Sequence, residues 1–154
     1  MKFGAILKAW GPVLLWISLM FFGSTDALSA EHTSRFLVPL LHWLKPDISP
    51  AAIAHIHFLV RKAAHVTEYA ILTGLLFRAL RGSIDGFWRR AAIALVPALI
   101  FAPTDEFHQS FVPSRTASPI DVLIDYCGAI IGIVVCRAVH LALTSRSGAK
   151  SSSG

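Results

Sequence analysis

The sequence predicts an all-α, polytopic membrane protein: a four-helix transmembrane bundle with an interfacial or re-entrant segment between its first and second helices. Three observations carry this expectation. Of the 154 residues, 55% are hydrophobic and 15% charged, and the mean hydropathy of +0.62 lies well above that of a soluble domain. The apolar residues gather into long blocks, as spans of about 20 residues require, instead of alternating. The basic residues sit in short segments between those blocks, so membrane topology explains the formal net charge of +5 better than nucleic-acid binding does.

Lys2 and Lys8 precede the first apolar block, Ala9 to Phe22, in which Trp10 and Trp16 suit interfacial and lipid-facing positions. A signal peptide ending near Ala30 is the alternative for this segment. Trp10, Gly11 and Pro12, which interrupt its start, favour a retained span. Gly23-Ser24-Thr25-Asp26 closes the block with turn chemistry. Phe36 to Leu44 is interrupted by Pro39 and stopped by Lys45-Pro46-Asp47. At about 1.5 Å per residue it is too short to cross a bilayer, which assigns it to the interface or to a re-entrant position.

Ser49 and Pro50 form a cap and first turn for the second helix, which reaches about Leu80 and so projects beyond a span. Arg78, Arg81, Arg89 and Arg90 flank the turn from Gly82 to Gly86 and mark it as cytoplasmic. Ala91 to Ala102 make the third block, continuing into Pro103 to Phe111. Val112 to Pro119 has loop composition, and the fourth helix runs from about Ser118 to Leu143. Residues 144–154 form a Ser/Gly-rich tail predicted to be disordered and cytoplasmic, leaving 1–143 as the transmembrane domain. Cys127 and Cys136 lie about two and a half turns apart on one helix, too far for a disulfide, and are assigned to packing.

Four spans with both termini inside bring the start of helix two, the end of helix three and the start of helix four to one outer side, and the unusual polar residues converge there. Arg61, His65, Glu68 and Tyr69 share one helical stripe with Lys62 at its edge. Asp105, His108 and Gln109 share a face of helix three, with Glu106 turned aside. Asp121 and Asp125 stand one turn apart on helix four, above Gly128 and Gly132, a pattern that implies close helix contact below and a polar pocket above.

These stretches resemble the VanZ-like family of small bacterial membrane proteins, named after a teicoplanin-resistance protein. The resemblance rests on Arg61 to Tyr69, on Asp105-Glu-Phe-His108-Gln109 with Phe111 to Arg115, on Ser118-Pro-Ile-Asp121 through Asp125 to Gly128, and on Ser24 after the first span. Ser114 and Asp125 stand where the family often has Gly and Asn. The resemblance implies the bacterial cytoplasmic (inner) membrane, a role in the cell envelope and, for the namesake, lower glycopeptide susceptibility; it supplies no established reaction.

Two readings of the cluster follow. In the first, an outward-facing pocket recognises or modifies a lipid-linked or anionic envelope molecule. His65 and His108 transfer protons, Asp105 and Glu106 orient them, and Arg61, Lys62 and Arg115 hold an anionic group such as a lipid headgroup. Glu68, Tyr69, Gln109, Asp121 and Asp125 complete the ligand-binding set. Metal ligation by the histidines with Asp105, Glu106 and Asp121 is less favoured, because no recognised metal spacing such as HExxH is present, and no metal ligand or cofactor is assigned. In the second reading the polar groups pair with one another, fix helices two, three and four together, and act through a protein partner. The bilayer is a partner in both readings; nucleic acid is a partner in neither.

Overall fold

The computed structural model describes residues 3–25, 30–112 and 118–151. Five α-helices appear in the order α1 (Phe3–Gly23), α2 (Ala30–Leu44), α3 (Pro50–Ala79), α4 (Phe87–Gln109) and α5 (Pro119–Ser151), with a 3-10 turn at Leu80–Gly82 between α3 and α4. No strand occurs among the described residues. Among the described residues, three helices are long and apolar enough to cross a membrane: α1, α4 and, in α5, Pro119–Ser145. The 30-residue α3 is not among them, because the charged side chains between Arg61 and Glu68 and at Arg78 dilute its apolar character.

Helix α3 is nevertheless the hub, packing most extensively on α5, then on α1 and α4, and lightly on α2. Ser49 caps it, its hydroxyl accepting the Ala52 N–H, and Pro50 occupies the first turn, where its missing donor has no consequence. Tyr69, Leu72, Leu76 and Phe77 of α3 meet Ala91, Ala94, Ala98 and Ala102 of α4, Ala129 and Ile133 of α5, and Val13 and Met20 of α1. The alanines repeat along one face of α4, so that helix can approach closely, as small residues allow where packing drives association. Leu14, Leu15 and Leu19 of α1, and Leu123, Ile130 and Val134 of α5, point outward, which suits hydrocarbon better than water.

Several sequence expectations change. The segment 36–44 belongs to a longer helix of 15 residues that passes through Pro39 without a break. A proline within a helix removes one backbone donor and crowds the carbonyl four residues before it, a cost that membrane helices accommodate, and α1 and α4 also carry internal prolines. Helix α5 continues past the expected end near Leu143 to Ser151, since no proline stops it. Trp10 and Trp16 are half-buried, each with part of its ring packed against the core. The Trp16 indole N–H donates to the Glu68 carbonyl at 3.0 Å, tying α1 to α3. Nearer the other end of α3, Arg78 Nη2 donates to the carbonyls of Lys8 and Ala9 at 3.1 and 3.3 Å.

Gly128 and Gly132 show why α3 and α5 pack so closely. A Cβ at Gly128 would lie 2.5 Å from the Val66 carbonyl oxygen, and one at Gly132 would lie 2.5 Å from that of Ala70. Only glycine leaves room for the facing backbone. This close approach holds the polar middle of α3 and the polar start of α5, one to two turns above, within hydrogen-bonding reach of each other.

Candidate functional site

The polar cluster sits where the end of α1, the middle of α3, the end of α4 and the start of α5 meet. Asp121 and Asp125 are both 0% exposed, a burial that a carboxylate tolerates only with partners. Asp121 has two. Arg61 Nη2 approaches its Oδ2 at 3.3 Å, and Lys62 Nζ donates to its Oδ1. One turn on, Asp125 Oδ1 lies 2.9 Å from His65 Nδ1. With Nδ1 donating to this carboxylate, the ring directs Nε2 away from it as the remaining lone pair.

A second run of hydrogen bonds joins α1 and α4 to the same centre. The Ser24 hydroxyl donates to Asp105 Oδ1 at 2.6 Å, and Gln109 Nε2 donates to Asp105 Oδ2 at 3.1 Å. Gln109 Oε1 in turn lies 3.4 Å from Arg61 Nη2, a long hydrogen bond that links the two halves. Asp105 and Gln109 thus share a face of α4, as their spacing predicts.

Glu106 is turned aside from the face of Asp105 and Gln109, as the spacing predicts, and is buried there: its Oε1 accepts the Ser118 N–H at 2.6 Å at the start of α5, where a carboxylate also complements the helix dipole. Asp105 and Glu106 differ by about 100° around the helix, yet both are covered, because α4 packs on α3 and α5 and the end of α1 brings Ser24 to Asp105. His108 is only half-buried; its ring packs 4.7 Å from that of Phe21, and among the described residues its Nδ1 lacks a hydrogen-bond partner. The group that orients His65 is Asp125, whereas Asp105 and Glu106 bond elsewhere.

Beside the cluster lies a cavity of about 520 Å³. Ser24, Arg61, His65, Glu68 and Gln109 face it, together with Phe36, Leu37 and Leu40 of α2 and Phe58 and Val60 of α3. Of the sequence-derived candidates, Lys62, Tyr69, Asp105, Glu106, His108, Asp121 and Asp125 are not in its wall. Tyr69 is fully buried in the core, its ring 6.4 Å from that of Phe101. Arg115 lies outside the described residues. Ser24, which only the family resemblance drew attention to, both lines the cavity and bonds the Asp105 carboxylate; its place directly after the first apolar block was the signal for it. Among the described residues, His65, Glu106 and Asp121 bring one potential ligand atom each to within 4.8 Å of one another.

Helices throughout the described residues, three of them apolar and of membrane length, with a charged cluster packed between them, define a small helical membrane protein. The family model VanZ/LLP1 matches residues 9–141, and the chain belongs to that family. Comparison with curated proteins and with solved structures yields no match.

Proposed function

We propose that this membrane protein takes an anionic, lipid-linked molecule of the bacterial cell envelope into the cavity beside Arg61 and recognises or modifies it. The observation that carries the reading is the mixed lining of that cavity. A guanidinium, an imidazole, a carboxamide and a hydroxyl share its wall with Phe36, Leu37, Leu40, Phe58 and Val60. A phosphorylated headgroup attached to a hydrocarbon chain matches both halves.

In this reading α1, α3, α4 and α5 span the cytoplasmic (inner) membrane with both termini inside, and the cluster opens to the outer side. Helix α2 lies along the interface. Phe36, Leu40, Trp43 and Leu44 recur on one side of α2 and are exposed, Phe36 at 82% and Trp43 at 78%, as an amphipathic helix facing lipid requires. Arg61, with Lys62 behind it and Arg115, holds the anionic group, and altered handling of the envelope molecule changes glycopeptide susceptibility. Where chemistry occurs, His65 and His108 carry protons and Asp125 orients His65.

Binding of a polyprenyl phosphate by the purified protein, followed by native mass spectrometry, tests the reading. The wild type retains the lipid, while His65→Ala and Arg115→Ala, at normal protein levels, lose both binding and the resistance phenotype. Retention of both in both variants refutes it.

A second reading has its own observation: Arg61 and Lys62 pair with Asp121, and His65 pairs with Asp125. Here the cluster is structural and the protein acts through a partner. Exchanging Lys62 and Asp121 then restores folding and function together, whereas a ligand site rebuilt in this way stays inactive.

A further inference from the structure

The buried cluster carries more negative than positive charge among the described residues. Asp105, Glu106, Asp121 and Asp125 are all buried, and the cationic side chains bonded to them are those of Arg61 and Lys62. With all four carboxyl groups ionised and His65 neutral, the described residues fall two positive charges short, an arrangement that a low-dielectric interior penalises heavily. Two carboxylate oxygens make the deficit specific. Glu106 Oε2 and Asp125 Oδ2 are buried without a hydrogen-bond partner, although each residue's other oxygen is well bonded.

We propose that His65, Glu106 and Asp121 bind one divalent transition-metal ion, of the Zn²⁺ or Mn²⁺ type, at the end of the helix bundle. One imidazole with two carboxylates is a mixed nitrogen and oxygen donor set, which such ions accept and which Ca²⁺, an oxygen-only ion, does not favour. The ligand atoms lie within 4.8 Å of one another. Ligands at about 2.1 Å from an ion stand at most about 4.2 Å apart, so the side chains need to close by roughly 0.6 Å. Asp125 supplies what a metal-bound histidine regularly has, a carboxylate on its other ring nitrogen at 2.9 Å, fixing the tautomer that leaves Nε2 as ligand. Glu106 is held on one oxygen by the Ser118 N–H, so its partnerless Oε2 is the atom free to ligate. Asp121 is shared: its oxygens already accept from Arg61 and Lys62, and a second lone pair on each remains. The three ligands come from α3, α4 and α5, so the ion would clasp the three helices and place a positive centre beside the cavity that His65 lines.

With the ion bound, His65 holds the metal and leaves proton transfer to His108; because His65 also lines the cavity, the site is tested without lipid ligand. The full chain, purified in detergent and stripped with a chelator, is titrated with Zn²⁺ by calorimetry and with Mn²⁺ by electron paramagnetic resonance. One ion per chain is expected to bind, raising the thermal unfolding temperature. Glu106→Gln, which keeps an oxygen for the Ser118 N–H, and His65→Gln each weaken binding at least tenfold and abolish the thermal shift. Asp125→Asn weakens it about ten- to a hundredfold, as removal of an orienting carboxylate does. His55→Gln, on an exposed part of α3, changes neither readout. If the wild type binds no ion at one per chain, the cluster is neutralised by protons and the proposal fails. It fails equally if Glu106→Gln and His65→Gln bind as tightly as wild type. Either result leaves the lipid reading standing, because polyprenyl phosphate binding is measured separately.

Discussion

Replacing Gly128 by alanine tests the link between helix packing and the polar cluster. The new Cβ would stand 2.5 Å from the Val66 carbonyl oxygen and 2.9 Å from Val66 Cα, both backbone atoms that cannot swing aside. A relaxed carbon-to-oxygen contact is about 3.3 Å, so α3 and α5 must part locally by about 0.8 Å. Carried one turn to His65 and Asp125, the same displacement stretches their 2.9 Å hydrogen bond towards about 3.7 Å, outside bonding range. Overpacking costs about 1–3 kcal/mol, and weakening one charge-assisted bond adds up to about 2 kcal/mol, giving a loss of about 1–5 kcal/mol. Gly74→Ala on α3 is the control: nothing lies within 4 Å of its added Cβ, so it should be neutral or stabilising by up to about 1 kcal/mol. Unfolding in mixed dodecyl maltoside and SDS micelles, followed by circular dichroism, reads both variants. In Gly128→Ala/Gly132→Ala the second clash is partly relieved by the first, so the double loss is smaller than the sum of the singles. Refutation would be Gly128→Ala within about 0.5 kcal/mol of wild type, or Gly74→Ala as damaging as Gly128→Ala.

Asp121→Asn removes the shared partner of Arg61 and Lys62 and leaves two partly buried cations facing a neutral amide. A loss of about 3 kcal/mol or more is expected in the same unfolding assay, and Asp121→Glu should recover part of it. Ser24→Ala deprives Asp105 of a 2.6 Å donor, for a loss of about 1–3 kcal/mol, while Ser18→Ala, whose exposed hydroxyl bonds only its own helix, should cost under about 0.5 kcal/mol. Topology is read by labelling intact cells with an impermeant thiol reagent, with Cys127 and Cys136 replaced. Ser114→Cys is expected to react and Ser83→Cys to stay protected; the reverse pattern puts the cluster on the cytoplasmic side and directs the search for ligands there.

Much of this molecule is written in one dimension. The long apolar blocks dictate helices, because a backbone in hydrocarbon must bond within its own segment. Ser49-Pro50 marks the start of α3 through local capping chemistry alone. The stripe from Arg61 to Tyr69 and the spacing of Asp121, Asp125, Gly128 and Gly132 are properties of single helices, so their faces follow from 3.6 residues per turn. Partnership is different, since it depends on how helices lie against one another. Periodicity places Asp105 and Gln109 together and Glu106 on the neighbouring face, but says nothing of α5 covering that face and burying Glu106. It also cannot tell which carboxylate His65 will meet. That choice falls to Asp125 because Gly128 and Gly132 let α5 approach α3 within a backbone's width, bringing the turn above them into contact. The sequence determined which residues share a helix face; only the distances between helices decided which charges are paired, which stay short of a partner, and where the cavity opens.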